Sequence, residues 1–323
     1  MRILLSCVNS VVSFIGFDLE AGTSFWYCPA DRVRACGAAY DPEQGALLVA
    51  SDSFLTRFEA GQGKTAFRLP GPHENLAHSV HVLPGLGIGI ADTGNSRVLI
   101  CDRDMKAVIP YSPVEGWKDI PPDALHLNDF VLTSRGMVVS CFNYQSFRYL
   151  ETPGYRWQNR GYGLLLSLEK RNGRTLGRVL APGLECPHSL IWRQDSLYCC
   201  ASATGEFVRF AYNSRDLLVE EERIFITDAH FLRGALPLED GSWILGGSDR
   251  RREDSEGMAV YRLWPDRTIS KLRVAGAGEI YDILPWEPGI MDAIADLMNG
   301  LPPDHADGES VYPPPCTLEK TAS

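Results

Sequence analysis

Pro187-His188-Ser189-Leu190-Ile191-Trp192, the polar turn Arg193-Gln194-Asp195-Ser196, Leu197-Tyr198-Cys199-Cys200-Ala201-Ser202 and then Gly205-Glu206-Phe207-Val208-Arg209-Phe210 form the clearest copy of a pattern that recurs along the chain. Each copy is a short strand, a polar turn, an apolar strand ending in small residues, and a further strand. The same syntax pairs Ala38-Ala39-Tyr40 with Ala46-Leu47-Leu48-Val49-Ala50-Ser51, and Ser79-Val80-His81-Val82 with Ile88-Gly89-Ile90-Ala91-Asp92-Thr93. It returns in Asn128-Asp129-Phe130-Val131 with Met137-Val138-Val139-Ser140, and in Arg233-Gly234-Ala235-Leu236 with Trp243-Ile244-Leu245-Gly246-Gly247-Ser248. A sixth start, Tyr281-Asp282-Ile283-Leu284, is followed by Pro-rich and helix-like sequence instead of strands. The starts at 38, 79, 128, 188, 233 and 281 lie 41, 49, 60, 45 and 48 residues apart, the span of a four-stranded propeller blade.

The strands missing from the sixth copy stand at the other end of the chain. Residues 2–7, 11–18 and 23–27 read as three strands with no opening strand of their own. Joining the two ends gives an all-β fold, a six-bladed β-propeller closed by pairing the N-terminal strands with the last blade, with no open sheet edge. One propeller domain is therefore expected over 1–287. In 288–323, Ile290, Ile294, Leu297 and Met298 share the face of a short helix, and a mobile Pro-rich tail follows. The longest interval carries an aromatic and basic insertion, Phe142 to Arg160, expected to form a loop over one mouth of the ring.

Composition narrows the function classes. With 45% hydrophobic and 22% charged residues the chain can build a large core and is not disordered, while 30 glycines and 21 prolines suit short strands and turns. A net charge of −10 argues against nucleic acid and anionic membrane as partners. Leu4-Leu5-Ser6-Cys7 has too few residues before the cysteine for a signal peptide, and no apolar run reaches the roughly 18 residues of a membrane span. A cytoplasmic location is expected. The nine cysteines show no C-x-x-C spacing, and most of them, such as Cys199-Cys200, sit in apolar runs and read as small buried hydrophobes. Gly85-x-Gly87-x-Gly89 and Gly61-Gln62-Gly63-Lys64-Thr65 fall in hairpins, not in nucleotide-binding loops, and Asp249 to Asp254 mixes both signs of charge as a solvated loop does.

Asp92-Thr93-Gly94-Asn95-Ser96-Arg97-Val98 resembles the strand-turn signature of NHL-type propeller repeats. The ordered set His126-Leu127-Asn128, Trp157-x-Asn159-Arg160, Pro187-His188-Ser189, Arg233-Gly234 and Glu279-Ile280-Tyr281-Asp282 resembles an uncharacterised family of bacterial propeller proteins. That resemblance runs roughly from His126 to Asp282 and implies the fold but no activity. By architecture the chain is also similar to the gluconolactonase, paraoxonase and regucalcin group, whose axial metal is held by Glu, Asn and Asp side chains. Pro187-His188-Ser189-Leu190 is similar to a histidine segment of the peptidyl-hydroxyglycine lyases, which hold zinc with axial histidines.

In a propeller the first strand of each blade lines the channel, so Ala38, Ser79, Asn128, His188, Arg233 and Tyr281 are expected to converge. All but Ala38 are polar, and buried polar groups are costly unless hydrogen-bonded, so the ring points to function. His188 suits a general acid, general base or metal ligand; the bland reading bonds it to a neighbouring blade. Arg233 can hold an anionic group or a developing oxyanion, or instead pair with Asp282 or Glu279. Tyr281 and Asp282 can donate and orient protons. The catalytic candidates are thus His188, Arg233, Tyr281 and Asp282, and the substrate-binding candidates are Ser79, His126, Asn128 and Glu279. The cofactor stays open between none and a divalent metal. Zinc could be held by His81, His126 and His188, although His126 and His81 lie two positions to either side of the ring, about 7 Å along the strand direction. Calcium could be held by Asn128, Glu279 and either Asp129 or Asp282.

Two functions compete on these residues. One is an enzyme, hydrolase or lyase in type, acting by proton transfer on a small polar metabolite or peptide-derived substrate at the channel mouth. The other is a non-catalytic module that recognises a peptide, glycan or partner protein through the mouth and the 142–160 loop, whose Tyr, Trp, Phe and Arg are common binding anchors. The oligomeric state is left open by the sequence.

Overall fold

The computed structural model describes residues 1–30, 34–113, 121–142, 162–171, 174–249, 257–274, 278–290 and 292–293. Every repeat found in the sequence is a four-stranded sheet, and six such sheets form an all-β, six-bladed β-propeller. The last blade is completed as the repeat count requires. Glu279–Pro285 runs antiparallel to Arg2–Val8, with Leu4 opposite Leu284 and Leu5 opposite Ile283, and Val12–Asp18 and Thr23–Pro29 follow in the same sheet.

The blades fall into two compact units. The first comprises Met1–Ser51, Leu55–Phe67 and the chain from Ala229 onward. It holds the closing sheet, the sheet of Gly37–Asp41, Ala46–Ser51, Phe54–Glu59 and Gly63–Arg68, and the sheet of Phe231–Pro237, Trp243–Ser248, Met258–Leu263 and Ile269–Val274. Ile3, Leu5, Ile15, Phe17, Ile244, Val260 and Ile280 form one core of this unit. Leu4, Phe14, Leu47, Val49 and Phe58 form a second, which also takes in Ile290 and Ala293. Those two residues belong to the short helical stretch at 288–290 and 292–293; Ile294, Leu297, Met298 and the expected tail lie outside the described residues.

The second unit comprises Asp52–Phe54 and Arg68–Asp228. Its sheets are Ala77–Leu83, Gly87–Asp92, Arg97–Cys101 and Val108–Tyr111; Leu127–Thr133, Gly136–Cys141, Gly163–Arg171 and Arg174–Leu184; and Pro187–Arg193, Ser196–Ala201, Glu206–Tyr212 and Leu218–Phe225. Leu83, Val98, Leu127, Phe130, Val139 and Leu166 pack in one core, and Val138, Leu165, Leu190, Leu197, Val208 and Phe210 in the other.

Burial explains why the second strand of each repeat is apolar without alternation. Gly87–Asp92 and Trp243–Ser248 are buried at every position, as expected of strands covered on both faces. Outer strands such as Leu218–Phe225 are mostly exposed and carry the charge. The Asp92 to Arg97 signature is a turn lock: the Asp92 carboxylate accepts from Asn75 Nδ2 at 2.9 Å, Asn95 Nδ2 at 2.9 Å and Arg97 Nε at 2.7 Å. Gly94 is required there because a Cβ would stand 1.9 Å from the Glu74 carbonyl oxygen. Among the described residues no helix is long and apolar enough to cross a membrane.

Seven of the cysteines are buried, Cys36 is half-buried and Cys316 lies outside the described residues; the chemistry of the buried ones follows from burial. Desolvation pushes the Cys7 and Cys199 thiols from an ordinary value of 9.0 up to about 12, and Cys141 and Cys200 are raised by the same cause. A folded-state value above the unfolded one means that these neutral thiols contribute stability fully below about pH 9, lost as pH climbs toward 12. These four cysteines are therefore expected to be inert to a disulfide reagent in the native protein near neutral pH and to react once the chain is unfolded. Thiol counting with and without denaturant checks this.

Candidate functional site

The first strands depart from regular pairing where the candidate residues stand. In the second unit the register shifts between Ala77 and Val80, between Leu127 and Asp129, and between His188 and Ile191. In the first unit it shifts between Arg233 and Ala235, and Leu5 and Cys7 face Ile283 and Ile280 across Tyr281 and Asp282. Gly37–Asp41, which carries Ala38, pairs residue for residue. Bulges re-aim side chains and are common beside sites, and here they accompany the polar members of the set.

A second device repeats in the three sheets of the second unit. Leu76, His126 and Cys186, each just ahead of its first strand, have φ of 48°, 45° and 52°. This left-handed conformation turns their carbonyls toward the side chain two residues on. His78 Nδ1 donates to Leu76 O at 2.7 Å, Asn128 Nδ2 donates to His126 O at 3.0 Å, and His188 Nδ1 lies 3.0 Å from Cys186 O. His78, Asn128 and His188 are therefore the equivalent residues. This corrects the sequence alignment, which set Ser79 beside Asn128 and His188: the three first strands open at Ala77, Leu127 and Pro187, so Ser79 stands one position too far along.

His126 is also held through its ring, because Nδ1 lies 2.8 Å and 3.0 Å from the two carboxylate oxygens of Asp123. His188 Nδ1 additionally approaches Ser202 Oγ at 2.8 Å. The rings form a file: His78 to His126 at 5.2 Å between centroids, His126 to Phe142 at 4.5 Å, and Phe142 to His188 at 4.9 Å. His188 is 5% exposed, and beside the file Asn128 Oδ1 and Ser79 Oγ are buried without a hydrogen-bond partner among the described residues. Sequence reasoning found His126, Asn128, His188 and Ser79 but missed His78, Asp123 and Ser202. The available signal was the recurrence of a polar residue two positions after each blade entry.

His81 does not join the file. Its Nε2 donates to Asp129 Oδ1 at 2.7 Å, while Asp129 Oδ1 also accepts from Phe130 N at 2.8 Å and Oδ2 from Leu190 N at 2.6 Å. The zinc set of His81, His126 and His188 is thus divided among separate acceptors. Asp129, offered for calcium, is filled by three donors. Among the described residues no three His, Cys, Asp or Glu side chains come together as metal ligands.

The remaining candidates form their own cluster in the first unit. Arg233 Nη1 pairs with Glu279 Oε2, and Asn9 Nδ2 donates to Glu279 Oε1 at 2.7 Å. The guanidinium carbon stands 4.7 Å from the Phe231 ring centroid and 4.5 Å from that of Tyr281. Asp282 Oδ2 accepts from Ala38 N at 2.9 Å, and Asp282 N donates to Ser6 Oγ at 2.9 Å. Of the two pairings open to Arg233, the structure shows Glu279. Gly234 beside it has φ of 70°, and a Cβ there would meet Ile283 at 2.9 Å.

No family model and no curated protein matches the chain. Solved structures do. A protein of unknown function from Bacteroides caccae superposes with a TM-score of 0.61 at 12% identity, over 87% of this chain and 97% of that one. Regucalcin, a calcium-binding protein from Agrobacterium tumefaciens, gives a TM-score of 0.50 at 15% identity over 77% and 76%. Virginiamycin B lyase from Staphylococcus aureus gives 0.51 at 11% identity over 84% of each chain. At these identities the likeness is one of fold. Apart from Phe142, the Phe142 to Arg160 insertion lies outside the described residues, as does most of the charged run after Asp249.

Proposed function

We propose that this protein is a cytoplasmic enzyme that acts on a small polar molecule by proton transfer, hydrolytic or eliminative in type, with its reacting groups in the second unit. The observation that carries this reading is the file of three imidazoles around Phe142, each held through Nδ1 by an oxygen. Imidazole exchanges protons near neutral pH, and groups locked in orientation lose little entropy on reaching a transition state. His188 is the acid or base, His126 backed by Asp123 is a second proton-transfer group, and Asn128 Oδ1 and Ser79 Oγ orient the substrate through donors that it supplies. Small-molecule chemistry also occurs on this fold, as the name of the virginiamycin B lyase states. Arg233 and Glu279 serve this enzyme by holding blades together.

The test is a screen of small lactones, esters and amides by NMR for turnover, with wild type, His188→Gln and His126→Gln compared on every hit. His188→Gln is expected to lose at least about 100-fold in kcat/KM with an unchanged melting temperature. A substrate turned over by His188→Gln and His126→Gln as fast as by wild type would refute the assignment.

A further inference from the structure

The surroundings of His188 specify which of its nitrogens does the chemistry, an inference that deepens the reading of His188 as the proton-transfer group and rests on it for its catalytic consequence. Nδ1 faces two oxygens, the Cys186 carbonyl at 3.0 Å and Ser202 Oγ at 2.8 Å. A carbonyl can only accept. With Nδ1 bare, two lone pairs would oppose each other at that distance; with Nδ1 protonated, the hydrogen is shared between two acceptors. The neighbouring sheets support the second arrangement. Asn128, in the equivalent place, reaches the His126 carbonyl with its amide nitrogen, a group that can only donate, and His78 meets the Leu76 carbonyl in the same way. Ser202 is itself fixed, since its backbone N donates to the same Cys186 carbonyl at 3.3 Å.

We infer that the Cys186 carbonyl and the Ser202 hydroxyl hold His188 as the Nδ1–H tautomer, which makes Nε2 its basic nitrogen and Ser202 a positioning residue. Ser202 touches no reacting atom in this scheme. It sets the ring's orientation and its proton, as the oxygen partner of a catalytic imidazole does.

The tautomer is read directly from the ring nitrogens of the full-length, 15N-histidine-labelled protein by long-range proton–nitrogen correlation above the ring's titration. His188 is assigned by the signal lost in His188→Gln. The expected wild-type result is a single tautomer, with Nε2 at the downfield position of a bare nitrogen and Nδ1 at that of a protonated one. Ser202→Ala is expected to shift both signals toward each other as a tautomer mixture appears, and Ser202→Thr to restore them. A wild-type Nε2–H tautomer would overturn the inference, as would a Ser202→Ala spectrum identical to wild type. No substrate enters this measurement, so its failure is distinguishable from failure of the enzymatic reading, which turns on the activity of His188→Gln.

Discussion

Asp129→Ala is expected to destabilise the protein by about 3–5 kcal/mol, seen as a melting temperature lower by about 4–7 °C and an earlier denaturant midpoint. The buried carboxylate takes three N–H donors, from Phe130, Leu190 and the His81 ring, and so joins the first strands Ala77–Leu83, Leu127–Thr133 and Pro187–Arg193 within the second unit. Truncation strips the Phe130 and Leu190 amides of this acceptor, and a buried donor left unpaired costs about 1–3 kcal/mol. Asp129→Asn is expected to cost most of the same amount. An amide has one acceptor oxygen, and its NH2 would face one of the donors that the carboxylate now satisfies. Urea titrations of the two variants beside wild type decide this; a loss below about 1 kcal/mol for Asp129→Ala would make the clamp a bystander.

Arg233→Ala is expected to cost a similar amount, about 3–5 kcal/mol, for a different reason. Arg233 and Glu279 are 6% and 2% exposed, so removing the guanidinium leaves a carboxylate in the interior with its charge unbalanced. The cost lies in the abandoned charge more than in the lost attraction, so the double variant Arg233→Met, Glu279→Gln should recover most of the stability. Denaturation of the two single variants and the double variant gives the coupling energy. An Arg233→Ala protein as stable as wild type, changed only in its response to anionic ligands, would restore Arg233 to substrate binding.

Much of the fold was legible because it depends on local pattern and on counting. A strand covered on both faces has to be apolar throughout, and the runs Ala46–Ser51, Gly87–Asp92 and Trp243–Ser248 announced themselves that way. The closing blade was legible by bookkeeping: three N-terminal strands lacked a first strand, and Glu279–Pro285 lacked followers. The site was less legible. Spacing pointed to the first strands, yet Ser79 was matched where His78 belongs, because the two are adjacent polar residues and the apolar pattern after them does not mark which one follows the left-handed entry residue. Asp123 and Ser202 escaped because each acts through a partner's ring nitrogen and carries no periodic signal.

The sequence by itself determined the six four-stranded blades, the pairing of the chain's two ends and the concentration of polar residues at blade entries, since periodicity, turn chemistry and burial of apolar runs act over a few residues at a time. Only the tertiary structure decided what those polar residues do. Whether Arg233 is free to bind an anion depends on Glu279, 46 residues away. The duty of Asp129 is set by the Leu190 amide, 61 residues on, and the orientation of His188 by a carbonyl that left-handed backbone at Cys186 turns toward it. Hydrogen bonds and ion pairs are directional and short in range, so the role of a buried polar group is fixed by whichever partner the fold brings within about 3 Å.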